Sequence, residues 1–209
     1  MIRFRYQFLN DWCPPKIMMP ADAAFDAALP RVPVLPDDCH RALAAIPHLA
    51  NLSLSDCQAL APLFCAREFP AGSTLFYEDD ESNGAYFLVS GAVEVFKSSP
   101  EGRKLPLVVL RDSGLLGEIG LLIGERRTAT ARALSGVRVL ELERTTFNDA
   151  LEADNHAALR LSLAFARVLA QRLTTTNEKL FELFQNDVSD TLHRELSDLQ
   201  SRLLTRWTG

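Results

Sequence analysis

Residues 115–130 of the chain read LLGEIGLLIGERRTAT. This stretch places a carboxylate, Glu118, in an apolar segment punctuated by glycines, and an arginine–threonine pair, Arg127 and Thr128, further along. A carboxylate in apolar surroundings is costly unless a partner binds it. Glu118 can accept hydrogen bonds from a sugar hydroxyl, and the fork of N–H groups on Arg127 suits a phosphate. Together the two residues predict a nucleotide-binding site.

The composition is that of a folded protein of ordinary size. The chain has 209 residues, of which 47% are hydrophobic and 23% are charged, so a packed core is expected rather than disorder. Its net charge of -5 argues against a protein that coats duplex DNA, because such proteins carry a basic surface. The cysteines lack the paired spacing of a zinc site and are predicted to be free thiols in a reducing compartment. They are Cys13, Cys39, Cys57 and Cys65.

No segment of the sequence predicts secretion or membrane insertion. The first residues, Met1 to Tyr6, lack the continuous apolar run of a secretory signal. No run approaches the roughly 18 apolar residues that are needed to span a bilayer. A cytoplasmic protein that does not bind a membrane is therefore expected.

Short strands separated by turns are predicted from Ala66 to Leu142. Apolar and β-branched residues recur there in short runs, with glycine at turns such as Ser90-Gly91. Regularly spaced short strands are typical of a small closed roll or barrel. The predicted strands are 74–77, 86–89, 92–96, 107–110, 128–133 and 137–142.

The segments before these strands are of two kinds. Residues 1–36 contain many prolines, which interrupt helices, and are predicted to be a flexible arm. Residues from 37 onward have helical spacing, and Ser55 to Gln58 has the pattern of a capping box. Phe64 follows at helical spacing and is predicted to belong to the same helix.

A long helix is predicted from Asn155 to Gln185, which gives it a length of roughly 45 Å. Its apolar positions alternate in spacings of four and three, the heptad pattern of a coiled coil. The helix is therefore predicted to pair with its copy in a homodimer, and packing of the same positions along the β roll is the alternative. We call these positions the heptad seam: Leu159, Leu163, Ala166, Ala170, Leu173, Asn177, Leu180 and Phe184.

The predicted fold class is α+β, with an eight-stranded β roll, or jelly roll, between N-terminal helices and a long C-terminal helix. Four segments follow from the patterns above. They are the arm at 1–36, the β-roll domain with flanking helices at 37–152, the dimerisation helix at 153–185 and a C-terminal amphipathic helix at 186–209.

Four motifs, in this order and spacing, resemble the cyclic nucleotide-binding domain. This is the β-roll module of catabolite activator-type regulators, cyclic nucleotide-dependent kinases and cyclic nucleotide-gated channels. The resemblance covers about residues 52–183 and implies a site for a 3′,5′-cyclic mononucleotide, with residues 117–122 as the short helix of its phosphate-binding cassette. The motifs are Phe69-Pro70-Ala71-Gly72, residues 86–95, residues 117–121 and Arg127-Thr128-Ala129-Thr130.

The resemblance also implies a role for each residue of the cassette. Gly117 would leave room for close approach of the ligand, and Glu118 would hold the ribose 2′-hydroxyl. Arg127 would pair with the phosphate oxygens. Thr128 would add a hydroxyl and a backbone donor, and Ala129 completes the Arg-Thr-Ala pattern by which Arg127 is preferred to its neighbour Arg126.

A further marker lies on the long helix. Residues 172–180 resemble the helix that meets the purine base at the dimer interface of the catabolite activator, so Thr176 and Asn177 are implied as base contacts. Asn177 also lies on the heptad seam, where a polar residue that sets the register is an equally good interpretation. One departure from the family concerns the loop before residue 84, where Asp79 and Asp80 stand in place of glycine followed by an acidic residue.

Neither an enzyme nor a DNA-binding protein is predicted. A metal-dependent β-roll enzyme would place histidine and acidic ligands inside the roll, but the histidines all lie outside residues 66–142. A helix-turn-helix module would need about 45 residues after the long helix, and residues 186–209 are fewer. No metal or other cofactor and no direct DNA contact are therefore expected. The histidines are His40, His48, His156 and His193.

The expected function is that of a regulatory sensor. It would bind a cyclic nucleotide, cyclic AMP more readily than cyclic GMP, and transmit ligand occupancy through the dimer helix to a protein partner that the sequence does not identify. Thr176 resembles a residue that reads cyclic AMP, whereas the hydroxyl of Thr128 favours cyclic GMP. The alternatives are a degenerate roll that only dimerises or docks, and a transcriptional regulator that acts with a separate DNA-binding partner.

Overall fold

The computed structural model describes residues 32–99 and 102–186. The predicted arm up to residue 31 and the predicted C-terminal helix from residue 187 lie outside these residues. None of the described helices has the length and apolar character needed to cross a bilayer. The helices are α1 (Pro36–Ala44), α2 (Leu54–Leu60), α3 (Glu118–Ile123), α4 (Arg144–Glu152) and α5 (His156–Asn186), with a 3₁₀ turn at Ala61–Leu63.

The strands of the described residues form two antiparallel sheets. They are β1 (Val32–Pro33), β2 (Phe64–Phe69), β3 (Thr74–Phe76), β4 (Gly84–Ser90), β5 (Ala92–Ser98), β6 (Lys104–Arg111), β7 (Gly114–Leu116), β8 (Thr130–Ala133) and β9 (Val137–Glu143). The strand orders are β1-β2-β9-β4-β7 and β3-β8-β5-β6. The predicted α+β fold with an antiparallel β roll is confirmed, and the short strand β1 is added at its edge.

Two parts of the sheet differ from the sequence prediction. Phe64 begins β2 instead of continuing a helix, because it pairs with Leu142 of β9 and its buried ring packs edge-on against Phe87 at 5.1 Å. These sheet contacts outweigh its helical spacing. Residues 114–116, which are not among the predicted strands, form β7 and pair with β4.

Helix α2 begins at a capping box other than the predicted one. The Oγ of Ser53 accepts a hydrogen bond from the Asp56 backbone, and the Asp56 carboxylate accepts one from the Ser53 backbone. The prediction at Ser55 is wrong because Ser53 is the residue with extended backbone at the helix start. Asp56 also accepts hydrogen bonds from Arg160 of α5 at 3.0 Å. Burial acts to raise the pKa of Asp56, but the bonds from Ser53 and Arg160 outweigh it and hold this pKa below its ordinary value.

Two of the cysteines lie deep in the core between α1 and α2. Cys39 and Cys57 are fully buried, and their thiols are in hydrogen-bond contact. Burial raises the pKa of both thiols, so they stay protonated at neutral pH. For these two residues the predicted free thiols are confirmed.

Helix α5 has two apolar faces, one of which is the predicted heptad seam. The helix starts where the Asn155 side chain caps the backbone N–H groups of Ala157 and Ala158. Its inner face packs on the roll, and the Phe165 ring lies 5.9 Å from that of Phe87. The heptad seam lies on the other side and is exposed from Leu159 to Leu180, so the alternative that the seam packs along the roll is wrong. The inner face consists of Ala157, Ala158, Leu161, Ala164, Phe165 and Val168.

Strand β6 is a second exposed apolar surface. It lies at the edge of the four-stranded sheet, and among the described strands it pairs with β5 alone. Its side chains are exposed on both faces, including Leu105, Leu107, Val108 and Val109. An exposed apolar edge strand is normally covered by a partner.

Candidate functional site

Arg127 enters the site from the segment between α3 and β8. Its backbone is held by the loop after β3, since Asp79 N donates to Arg127 O and Arg127 N donates to Asp80 O, both at 2.9 Å. Asp79 has a left-handed backbone with a φ of 67°, which aspartate adopts more readily than most residues. The aspartate at the family's usual glycine position therefore still forms the turn that holds Arg127.

The side chain of Arg127 is buried, with the carboxylates of Glu141, Asp80 and Glu118 close enough to act on its charge. It is 4% exposed, and its Nη1 donates to the carbonyl oxygens of Gly84 at 2.7 Å and Gly117 at 3.5 Å. Its Nε is buried and has no hydrogen-bond partner. Among the ion pairs between described residues, none includes Arg127. Burial lowers the pKa of this guanidinium, although an arginine remains charged at neutral pH.

The lack of a side chain at Gly117 makes room for the Arg127 guanidinium. A Cβ at this position would lie 2.0 Å from Nη1 of Arg127 and 3.0 Å from the carbonyl oxygen of Gly84. The φ of Gly117 is 75°, a left-handed value that glycine adopts without strain. The space on the Cβ side of Gly117 is thus occupied by the guanidinium, and the predicted close approach of a ligand to this residue stays a prediction. Gly117 caps α3, which begins at Glu118, one residue later than predicted.

Glu118 is paired with Arg172, which is not among the predicted site residues. The carboxylate is 2% exposed and accepts a hydrogen bond from Nη1 of Arg172 on α5. Nη2 of Arg172 also donates to the carbonyl oxygen of Leu115 at 2.7 Å. One sequence signal could have identified Arg172: a buried carboxylate needs a cationic partner. Arg172 is the first residue of the segment 172–180, which resembles the base-contacting helix of the family.

A shallow, open cleft of about 520 Å³ lies beside Arg127. Lys97 and Glu78 form an ion pair of 2.8 Å in its wall. The hydrogen bond between them lowers the pKa of Glu78 and raises that of Lys97. The lining residues are Glu78, Asp79, Lys97, Gly124, Glu125, Arg126, Arg127 and Thr128.

The structure brings some of the predicted site residues together and leaves others apart. Gly117 and Arg127 are in contact, and Thr128 lines the cleft beside the exposed Arg126. Ala129 is buried in the roll. Arg126, the alternative candidate for the phosphate, is exposed and donates a hydrogen bond to the carbonyl oxygen of Asp79.

Thr176 and Asn177 do not join the cassette within one chain. Both are exposed on α5, and the Thr176 hydroxyl donates to the carbonyl oxygen of Arg172 at 2.8 Å. Neither residue lines the cleft beside Arg127. Their implied contact with a base therefore stays a prediction.

Parts of the sequence match known proteins. Residues 66–154 match the family model of the cyclic nucleotide-binding domain. The CRP-like cAMP-activated global transcriptional regulator of Mycobacterium tuberculosis is 31% identical over 142 residues, 68% of this chain and 62% of the relative. The cAMP-activated global transcriptional regulator CRP of Escherichia coli O157:H7 is 30% identical over 133 residues, 63% of this chain and 61% of the relative. The chain thus spans about three fifths of the length of these curated relatives.

Solved structures share the fold. The N-terminal domain of a transcriptional regulator from Streptomyces coelicolor A3(2) is 30% identical, with a TM-score of 0.55 over 66% of this chain and 94% of that chain. The Thermus thermophilus catabolite activator protein is 29% identical, with a TM-score of 0.57 over 66% of this chain and 63% of that one. The motifs, the fold and these relatives agree: the chain belongs to the cyclic nucleotide-binding domain family.

Proposed function

We propose that this protein is a regulatory sensor that binds a 3′,5′-cyclic mononucleotide, with cyclic AMP as the preferred ligand. One observation carries the proposal: the Arg127 guanidinium is buried, and its Nε has no partner. A buried charge that forms no ion pair is unfavourable, so the site suits an anion that arrives with a ligand. The single negative charge of a cyclic phosphate meets this need.

Glu118 supplies the second half of the site. Its carboxylate follows Gly117, whose carbonyl oxygen accepts from Arg127. A carboxylate accepts hydrogen bonds from sugar hydroxyls, and a guanidinium donates to phosphate oxygens. In a cyclic nucleotide the 2′-hydroxyl and the cyclic phosphate are carried by the same ribose. Glu118 and Arg127 would therefore hold one ligand by its sugar and its phosphate.

Arg172 provides a route from the site to α5. Its guanidinium joins α5 to Glu118 and to the carbonyl oxygen of Leu115, one on each side of Gly117. A ligand hydroxyl that donates a hydrogen bond to Glu118 would compete with Arg172 for this carboxylate. Ligand binding would therefore alter the hydrogen bond between Arg172 and Glu118. The ligand would then favour one of two positions of α5 by binding one of them more tightly.

The proposed sensor is a homodimer. The heptad seam is exposed along α5, and the opposite face of the helix packs on the roll. Two α5 helices can therefore pair through their seams while each stays packed on its own roll. The exposed apolar edge of β6 offers further surface to the second copy. Thr176 and Asn177 would contact the base across this interface.

Two relatives support the choice of ligand and suggest an output. Both carry names that describe cAMP-activated transcriptional regulators, which favours cyclic AMP over cyclic GMP here. The same names make transcriptional control, with a DNA-binding segment or partner outside residues 32–186, the second candidate for the output. The expectation that this chain makes no direct DNA contact stays a prediction.

Isothermal titration calorimetry of the full chain with cyclic AMP and with cyclic GMP tests the ligand. We expect one site per chain and a cyclic AMP dissociation constant of about 10 µM or less, corresponding to a binding free energy of roughly −7 kcal/mol or stronger. Cyclic GMP is expected to bind more weakly. If neither nucleotide gave binding heat at concentrations up to the millimolar range, the sensor hypothesis would be contradicted. The alternative of a degenerate roll that only dimerises or docks would then be favoured.

Replacing Arg172 with glutamine tests the route to α5. The wild-type protein should show a change in amide hydrogen exchange along α5 when cyclic AMP is added, and Arg172→Gln should lose most of it. The substitution should also lower the free energy of unfolding by about 1–3 kcal/mol, because it leaves the buried Glu118 without its cation. The matched control is Arg167→Gln, at an exposed position of the same helix. A ligand response that persists in Arg172→Gln would contradict the proposed route.

A further inference from the structure

Aromatic rings occupy the face of the Arg127 guanidinium. Its Cζ lies 4.2 Å from the centroid of the Phe76 ring and 5.6 Å from that of Tyr86, both within the roughly 6 Å over which a cation and a ring attract. The two rings are nearly parallel, with 6.0 Å between their centroids and 13° between their planes. Phe76 is the nearer ring and therefore makes the larger contact with the guanidinium.

Hydrogen bonds hold one edge of the same group. Nη1 donates to the carbonyl oxygens of Gly84 and Gly117, and the lack of a Cβ at Gly117 allows this approach. A planar group that is held on one face and along one edge has little freedom to rotate. The direction of the unpartnered Nε–H of Arg127 is set by these contacts.

A second arginine in the roll, Arg67, also lies over an aromatic ring, but it forms an ion pair with a carboxylate. Arg67 lies 5.2 Å over the Phe69 ring, which meets Tyr86 edge-on at 6.1 Å. Nη1 of Arg67 donates to both carboxylate oxygens of Glu141, at 3.1 and 3.2 Å. Arg67 thus has its counterion within the roll, whereas Arg127 has a ring beneath it and an Nε left for a ligand.

We propose that Phe76 is a positioning residue for phosphate binding, an inference that rests on the proposed function of the site. Its ring holds the Arg127 guanidinium in one plane, so that the free Nε–H already points toward the phosphate before the ligand binds. Donors that are ordered in advance bind an anion more tightly, because ordering an arginine side chain during binding costs entropy. A leucine at position 76 would keep most of the apolar volume and lose the flat surface.

Calorimetry with cyclic AMP on the full chain tests this role with three variants. Phe76→Leu removes the ring from Arg127, and Phe76→Tyr keeps it. Phe69→Leu is the control, since it makes the same change in the same apolar cluster and against the same Tyr86, but at a buried ring beneath Arg67. We expect Phe76→Leu to weaken binding about tenfold, and both other variants to stay within about threefold of wild type.

The nuclear magnetic resonance signal of the Arg127 Nε–H group gives a readout that a purely structural role would not move. The signal is assigned by its loss in Arg127→Lys. In the wild type we expect it to be shifted by the ring current of Phe76 and to exchange slowly with water, because the group is buried. The shift should disappear in Phe76→Leu and persist in Phe69→Leu.

Equal losses of affinity in Phe76→Leu and Phe69→Leu would show that the ring only fills the roll, as would an unchanged Arg127 signal in Phe76→Leu. If Phe76→Leu does not fold, Phe76→Met provides the same comparison with a more adaptable side chain. Failure of the proposed function gives a different result: the wild type itself binds neither nucleotide, and the inference is overturned with it.

Discussion

Replacing Arg127 with glutamine is expected to lower the affinity for cyclic AMP at least about a hundredfold, which corresponds to roughly 2.7 kcal/mol. The guanidinium is the buried positive charge of the site, and its Nε has no other partner. Hydrogen bonds to a charged group contribute roughly 1.5–3 kcal/mol each. Glutamine removes the charge and the fork of donors while keeping a polar side chain of moderate length. Calorimetric titration of wild type and variant measures the loss.

The same substitution should leave the ligand-free protein almost as stable as before. Arg127→Gln loses the Nη1 hydrogen bonds and the contact with Phe76, which destabilises the fold. It also removes a buried charge, and replacing such charges by neutral side chains is often neutral or stabilising. We expect these effects to offset each other, so that the free energy of unfolding in urea changes by less than about 1 kcal/mol.

Arg126→Gln is the matched control for this experiment. Arg126 is the exposed neighbour and lines the same cleft, so its loss removes an equal charge from the same segment. We expect its affinity for cyclic AMP to fall by less than about threefold, because exposed charges contribute little. If Arg126→Gln lost as much affinity as Arg127→Gln, the assignment of the phosphate to the buried arginine would be wrong.

The double variant Leu163→Glu/Leu173→Glu is expected to convert a dimer into a monomer. Both leucines lie on the heptad seam and are about half exposed in the single chain. In the dimer each would be buried against its copy, where an unpaired carboxylate costs several kcal/mol. The dimer dissociation constant should therefore rise about a thousandfold or more. Sedimentation velocity should give 23.2 kDa for the variant and twice that mass for the wild type.

Gln171→Glu/Thr174→Glu controls for the added charge. These residues are exposed on the same helix and lie outside the heptad seam. The variant carries the same two new carboxylates as the seam variant, and it should remain a dimer. A wild-type chain that sediments as a monomer at about 20 µM would contradict the proposed dimer.

The strand pattern of the roll could be predicted because its signals are local. Alternation and β-branched runs place β4, β5 and β9 close to their observed positions, and Gly91 lies at the predicted turn with a φ of 94°. The strand boundaries that were predicted wrongly depend on residues that are distant in the sequence. Phe64 is a strand residue because Leu142 and Phe87 are its neighbours in the fold.

In the long helix, too, one feature was predictable from the sequence pattern and another depended on tertiary packing. Its start was predicted to within one residue, and the helix continues to Asn186, the last described residue, since a continuous heptad pattern is visible in the sequence. The inner face was missed because its small residues, Ala157, Ala158 and Ala164, give a weak apolar signal. They matter in the fold because they let the helix lie close to the roll, where Phe165 fills the space beside Phe87.

The sequence by itself determined the fold and the family, and it predicts the central pair, Glu118 and Arg127, because these depend on residue types at fixed spacing. Only the tertiary structure decided what each of the two contacts. It placed Arg172 on Glu118 and gave the space at Gly117 to the guanidinium. It also laid the Arg127 side chain on Phe76. The reason is that a buried charge depends on whichever groups the chain brings near it, and those groups come from elements far apart in sequence.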